Sequence, residues 1–291
     1  MADNYSAWDI DLNGFHVLKS FRERIDFLIN FAILAPSSHN SQPWEFTVED
    51  ETLFIGACLE RSLPASDPNC RQLFISIGCA IQNILTAADY YGLIFALEYF
   101  PHGGKNNFVA EIKFSPSLKR VVFQKDHLIH CISRRFTDRG KYNFSAVIPM
   151  QIYKIAKLLS EENIQLNLIL NPEERGVITN CILDAIGEAM SGNEFRFELS
   201  GYVKNNYTRA NIGMPGFTLG IPGPFSLVAP ALIKHFNLAR LSRNKDEELL
   251  RLYTPMFGII STAEDDKYHW VRAGAKYQML ALEAERIDLK T

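Results

Sequence analysis

The sequence predicts an α+β fold built as two related halves, and three observations carry that reading. First, strand patterns come in neighbouring pairs joined by short turns, at 44–57 and 94–114, beside long helical patterns; adjacent strands joined this way pair antiparallel. Second, two long helical stretches, 70–92 and 268–288, each follow a strand and an acidic turn. With Gly78 set opposite Gly274 they align without a gap, and Gln82, Ala88 and Leu93 match Gln278, Ala284 and Leu289. A repeated order of elements is the trace of a duplicated unit. Third, 291 residues at 47% hydrophobic content suffice for one large core or two small ones.

The elements follow in order. Phe21, Ile25, Leu28, Ile29 and Ala32 recur at helical spacing, so residues 18–34 read as a helix that ends before Pro36. "WEFTVEDETLFIGA" alternates and turns at Glu49-Asp50-Glu51, a hairpin. Asp67 as N-cap and Pro68 at the first helical position start the next helix. Its middle, Ile75 to Ala88, is apolar on nearly every face, as a central buried helix is, and Gly92 closes it. Strands are expected at 94–100 and 108–114 around the turn "PHGGKNN", then a short helix or link at 125–136. A helix near 149–160, a strand at 164–170 and a helix near 172–190 come next. Residues 205–231, rich in Gly and Pro, read as loop; "MFGIISTAEDD" reads as strand and turn before the last helix. The halves are 1–125 and 126–291, and they are expected to intertwine. Two strands follow the first long helix, whereas the chain stops at Thr291 after the second, so the second half reads as short at its C-terminus, either as a shorter copy or because the chain is cut short.

Composition excludes several classes. A net charge of −3 gives no basic face of the kind nucleic acid requires. Five widely spaced cysteines without a CxxC read as reduced thiols in a cytoplasmic protein. The polar, acidic start "MADNYSAWDIDLNG" is no signal peptide. The apolar run "FTLGIPGPFSLVAPALI" is broken by Pro222, Pro224 and Pro230, so no membrane partner is expected.

Three stretches carry chemistry. "APSSHNSQPWEF" places Ser37, Ser38, Asn40 and Gln42 on a loop between a helix and a strand, where binding groups are commonly held. In "SRRFTDRG", Arg134, Arg135 and Arg139 bracket Thr137; guanidinium groups and a hydroxyl suit a phosphate. In "NIGMPGFTLGIPGP", four glycines allow close backbone approach to a flat ligand. No Walker loop and no GxGxxG after a strand is present, which disfavours a Rossmann site. The absence of GxSxG leaves a hydrolase elbow unsupported. His127, His130 and Cys131 have no second ligand cluster near them in sequence, and no metal is expected.

Together these segments resemble the flavin-dependent nitroreductases. "APSSHNSQPWEF" is similar to that family's Pro-Ser-Ser-x-Asn-x-Gln-Pro-Trp segment, "RRFTDRGKY" to its phosphate motif, and "MPGF" to its loop at the flavin N5 edge. The order, with the Pro-Ser-Ser segment first, resembles the tandem single-chain Acg-like FMN-binding branch, in which two halves mimic the usual homodimer. The resemblance implies a nitroreductase-like pseudo-dimer that binds FMN and takes hydride from NAD(P)H through N5. Pro36, Ser37, Ser38 and Asn40 would approach the flavin, Arg135, Thr137 and Arg139 would hold its phosphate, and a backbone N–H near Gly216 would face N5. Gln42 and Trp44 would support the loop. No side chain is implied as acid or base, because the cofactor carries the chemistry. A small nitro- or quinone-like acceptor is the implied substrate, and a further homodimer is compatible. The alternatives are an FMN-sequestering protein with 205–231 as a lid and a degenerate fold with no flavin. Pro215 departs from the acidic residue common at its place and has no N–H to give.

Overall fold

The computed structural model describes residues 3–104, 107–118, 126–142, 149–159, 161 and 163–291. Lys105 and Asn106 of the expected turn, Lys125 at the expected boundary, and Ser160 lie outside the described residues.

Helix α1 (Phe21–Ala32) opens on a reciprocal cap: the Ser20 hydroxyl accepts from the Glu23 N–H, and the Glu23 carboxylate accepts from the Ser20 N–H. Two donors that the first turn would otherwise orphan are thereby satisfied. Strands β1 (Trp44–Glu49) and β2 (Thr52–Ala57) form the expected hairpin. β1 alternates, with Trp44 and Val48 buried and Glu45, Thr47 and Glu49 exposed. Asp50 takes φ +49° at the turn, a left-handed setting that Asp tolerates.

Helix α2 (Arg71–Tyr90) starts later than expected, and Asp67 does not cap it. Cys70, itself left-handed at φ +58°, precedes the first turn. Asp67 is buried, with its N–H on the Leu63 carbonyl. The cause is a distant carboxylate. Glu198 accepts the Ala65 and Ser66 N–H groups at 2.9 and 3.0 Å, which commits this segment to a turn rather than a helix start. By length and composition α2 could cross a membrane, but most of it is buried inside the protein, as expected of a core helix. Gly92 follows it at φ +69°.

Strand β3 (Leu93–Tyr99), the helical turn α3 (Pro101–Gly104) and β4 (Phe108–Leu118) come next. They complete an antiparallel sheet of order β1-β2-β4-β3, with Leu53 and Leu97 both paired with Ile112. Helix α4 (Ile129–Ile132) is a single turn, and Arg135 to Arg139 follow it outside any helix or strand.

Helix α5 (Pro149–Leu159), β5 (Ile164–Ile169) and α6 (Pro172–Ser191) match their expected places. Asn171 caps α6 through the Glu173 and Glu174 N–H groups. Helix α7 (Asn193–Tyr202) had no sequence forecast. The expected loop 205–231 is more structured than its composition suggests. It contains β7 (Met214–Pro215), paired in parallel with β6 (Val203–Lys204), then a 3₁₀ turn Gly216–Leu219, α8 (Gly223–Ser226) and the start of α9 (Ala229–His235). Pro224 and Pro230 occupy first-turn positions of α8 and α9, where a missing N–H costs nothing. Helix α10 (Ala239–Glu248) leads through a π turn to β8 (Phe257–Thr262), which pairs with β5. Helix α11 (Lys267–Arg286) ends the fold.

The chain divides into two compact units: Met1–Ser62, Asn69–Thr137 and Thr262–Thr291 form the first, and Leu63–Pro68 with Asp138–Ser261 the second. The main core belongs to the first unit, where Ile77, Ile81 and Ile84 of α2 meet Leu28 and Phe31 of α1 and Val271 and Leu282 of α11. A small separate cluster in the second unit is built on Val203, Met214 and Ile233.

Within the first unit, α2 and α11 pack backbone to backbone at Gly78 and Gly274. A Cβ on Gly78 would lie 1.9 Å from the Val271 carbonyl oxygen, and one on Gly274 would lie 1.9 Å from that of Ile75. Each glycine therefore faces the carbonyl three residues before the other, and only glycine permits that approach. Asn83 donates to the Phe31 carbonyl at 2.9 Å, and Gln278 donates to Asn83 Oδ1 at 2.7 Å, tying α1, α2 and α11 through fully buried amides.

Candidate functional site

The Pro-Ser-Ser loop is held by its own polar groups. Ser37 Oγ accepts the Gln42 N–H at 3.0 Å, and the Asn40 and Ser41 N–H groups reach the Ser37 and Ser38 carbonyls. Ser38 Oγ donates to Gln72 Oε1 on the first turn of α2 at 2.5 Å. Arg61 donates to the Gln42 carbonyl at 2.9 Å. His39, Asn40 and Gln42 take φ of +54°, +52° and +50°. Asn visits this region readily, but His and Gln do so at a cost of about 1–2 kcal/mol each. Trp44 is buried beneath the loop, while Pro36, Ser37, Ser38 and Asn40 remain half-buried. The capacity for hydrogen bonding in this stretch thus serves first to fix a strained turn.

Arg135 lies directly against this loop. Its Nη2 donates to the carbonyl of Leu34 at 3.4 Å, two residues before Pro36. The side chain is 6% exposed, and its Nε and Nη1 have no hydrogen-bond partner among the described residues. Burial pushes the guanidinium below its ordinary value, an effect that Tyr277, Cys79 and Glu285 oppose. The neighbouring Arg134 is differently placed: it pairs with Glu285 at 3.4 Å and donates to the Glu285 carbonyl. Lys290 also holds Glu285, at 2.5 Å. Arg135 is left as a buried cation with two unmet donors, and such a group is costly unless an anion meets it. Burial also raises the Cys79 thiol to about 12; its Sγ donates to the Gly274 carbonyl at 3.2 Å, which makes it a packing group.

Thr137 and Arg139 are exposed and make no hydrogen bond among the described residues. The loop residues, Arg135 and Thr137 share the first unit; Arg139 and Gly216 belong to the second. Gly216 is buried at the start of its 3₁₀ turn, and a Cβ there would meet Asn206 Oδ1 at 2.8 Å and Ser226 Cβ at 3.0 Å. Sequence reasoning missed Arg61 and Gln72, which anchor the loop. Both lie in the stretch 59–93, which is similar to the tandem branch as a whole, but nothing local marked either one as an anchor of the loop.

Glu264, Asp266 and His269 bring ligating atoms within 4.8 Å of one another. Asp266 already accepts both the His269 N–H and Nδ1 as the N-cap of α11, so this is a helix cap by its chemistry. Two cavities lie in the second unit. One, of about 280 Å³, is lined by α6 and α10 through Leu183, Ile186 and Arg243. The other, of about 600 Å³, is lined by α5 and β5 through Tyr153, Leu166 and Leu168. None of the predicted site residues lines either one.

No protein-family model matches the chain. It is 26% identical over 166 residues to the Mycobacterium tuberculosis protein named "Putative NAD(P)H nitroreductase Rv3131", a stretch covering 56% of this chain and 47% of the relative. It is 33% identical over 89 residues to "Putative NAD(P)H nitroreductase acg" of the same organism, covering 31% of this chain and 27% of the relative. "Uncharacterized protein Rv3127", also from that organism, is 32% identical over 115 residues, or 37% of this chain and 32% of the relative. The chain therefore spans about half the length, or less, of the curated relatives it matches. These matches bear out the resemblance to the nitroreductase superfamily read from the motifs.

Proposed function

We propose that this protein is an FMN-binding, NAD(P)H-dependent oxidoreductase of nitroreductase type. The observation that carries the reading is Arg135, a buried guanidinium with two unmet donors set against the loop that bears Pro36, Ser37 and Ser38. A phosphate monoester supplies the anionic oxygens that those donors lack, so the residues present fit the group. FMN, when bound, supplies the two-electron chemistry between nicotinamide and acceptor. The chain's own residues bind and orient. Arg135 and Thr137 hold the phosphate and the half-buried polar edge of Pro36 to Asn40 meets the ring system; Arg139 and the backbone at Gly216 keep only the roles that the resemblance gives them. Arg61, Gln72 and the Ser37 hydroxyl hold the loop rigid, which lowers the ordering cost of binding.

The reciprocal glycine contact of α2 and α11 supports the finer reading of a single-chain pseudo-dimer. Equivalent residues of two aligned helices touch equivalent carbonyls, as a two-fold relation requires.

The test is an anaerobic NADPH titration of the purified, FMN-supplemented protein, followed at the flavin absorbance band. Bleaching within seconds supports the reductase. Bound flavin that stays oxidised overturns it in favour of sequestration, and absence of bound flavin overturns both.

A further inference from the structure

Helices α8 and α9 are turned inside out. Their inward residues are Ser226, Ala229 and Ile233, at helical spacing. Their outward residues are larger and more apolar: Phe225, Leu227, Val228, Leu232 and Phe236 are all exposed, Phe225 at 66%. A surface helix ordinarily carries its apolar stripe inward. The exposed set extends onto neighbouring elements of the same unit. Lys234 Nζ lies 4.8 Å from the Phe197 ring centroid on α7. Tyr207, 69% exposed, abuts Gly223 at the start of α8.

The stretch of chain that carries this face is one-sided in charge. Residues 199–245 contain Lys204, Arg209, Lys234, Arg240, Arg243 and Lys245 and not one Asp or Glu, in a chain of net charge −3. Arg243 is paired with Asp184. Arg209, Lys234 and Lys245 are exposed, and Lys245 reaches Gly220 between the 3₁₀ turn and α8. Of the flanking carboxylates, Glu198 is occupied by the Ala65 and Ser66 N–H groups, Glu194 is exposed one turn before Phe197, and Asp246, Glu247 and Glu248 follow the stretch, with Glu247 paired to Arg251 and Glu248 to Lys141.

We propose that the outward face of α8 and α9, with its flanking cations, docks the protein on an anionic lipid surface. Exposed Phe and Leu side chains enter the boundary between headgroups and acyl chains, while Lys and Arg stay at the phosphate level. A second copy is the poorer occupant, because a two-fold contact would press this basic face against itself. This proposal departs from the expectation of no membrane partner, which rested on the lack of a spanning segment; surface docking needs none.

The experiment is co-sedimentation of the full chain with vesicles of phosphatidylcholine alone or mixed with phosphatidylglycerol. Binding is expected only to the mixed vesicles and is expected to fade at about 0.5 M NaCl. Arg209→Ala combined with Lys234→Ala should weaken it roughly 25-fold, about fivefold per cation. Phe225→Ser combined with Leu232→Ser should abolish it. Both pairs change exposed side chains, so unfolding midpoints should match the parent protein, which separates lost docking from lost folding. Equal partition onto both vesicle types, or unchanged binding by both variants, would overturn the proposal. So would a concentration-dependent dimer, seen in sedimentation velocity, that the Phe225/Leu232 variant breaks; that result would make this face a contact between copies.

Discussion

Replacing Arg135 by methionine separates a phosphate-binding arginine from a structural one. Met has a similar length and no charge, so it fills the same space. In the flavin-free protein the change removes a desolvated cation with two unmet donors and one long hydrogen bond of 3.4 Å to the Leu34 carbonyl. The bond is worth at most about 1 kcal/mol. Replacing a buried charged cluster by apolar groups is commonly neutral or stabilising by about 1–4 kcal/mol. The free variant should therefore be as stable as the parent, or more so. Binding should move the opposite way. Nε and Nη1 can each give a charge-assisted bond worth about 1.5–3 kcal/mol. Losing both costs about 3–6 kcal/mol, or two to four powers of ten in Kd. Urea unfolding with and without FMN, together with quenching of flavin fluorescence, reads both effects. A variant that loses more than about 2 kcal/mol of intrinsic stability and still binds FMN like the parent would refute the reasoning.

Other expectations follow from packing, strain and charge. Alanine at Gly78 or Gly274 must move a facing carbonyl from 1.9 Å to the 3.4 Å of ordinary contact, and backbone cannot rotate away. Each should cost about 3 kcal/mol or more in urea unfolding. Gly201→Ala, with nothing within 4 Å, should gain about 0.5–1 kcal/mol; equal behaviour of all three sites would count against the close crossing. Gln42→Gly keeps the backbone bonds to Ser37 and Arg61. It relieves about 1–2 kcal/mol of left-handed strain against about 0.5–1 kcal/mol of added chain entropy. Stability should hold or rise slightly, and a loss above about 1 kcal/mol would show that the side chain holds the loop. Asp266 is held below its ordinary value of 3.8, chiefly by the His269 N–H. Its cap is fully present above that value and is lost as pH falls through the lower folded value. Asp266→Asn, which still caps, should flatten the acid limb of the unfolding midpoint against pH; an unchanged limb would remove the cap from the acid response.

What the sequence made legible was whatever local physics decides. The helix at 18–34, the hairpin at Asp50, the helix near 172–190 and the apolar run of α2 depend on residues within a few positions of one another. Asp67 was misread because its fate is set by Glu198, about 130 residues away, and no local capping rule contains that term. The stretch 205–231 was misread for a different reason. Composition counts Gly and Pro as breakers, yet Pro224 and Pro230 sit in first turns, where they favour helix. Helix α10 escaped notice because it is strongly polar, with no apolar stripe to announce it. The arginine motif was visible as a motif, but the choice between its arginines was not. Only packing shows that Glu285 occupies Arg134 and leaves Arg135 unpaired.

Cys70 and Phe100 are left-handed elsewhere in the first unit, but at this loop strain and an unpaired charge meet. His39 and Gln42 are left-handed without being glycine, and Arg135, two unmet donors and all, lies against the same loop. Everything around them is over-determined: Trp44 is buried below, Arg61 and Gln72 pin the ends, and α2 beneath is fixed to α11 by backbone contact. A fold keeps strain and an unpaired charge together when a bound group offsets both. Those costs point to a ligand, and the sign of the unpaired charge makes that ligand an anion. It also sets a thermodynamic consequence. A ligand that meets Arg135 only in the folded protein adds about 2.7 kcal/mol of stability at one hundred times its Kd. The loop should gain most of the accompanying protection from hydrogen exchange, because the supporting helices are already packed without it.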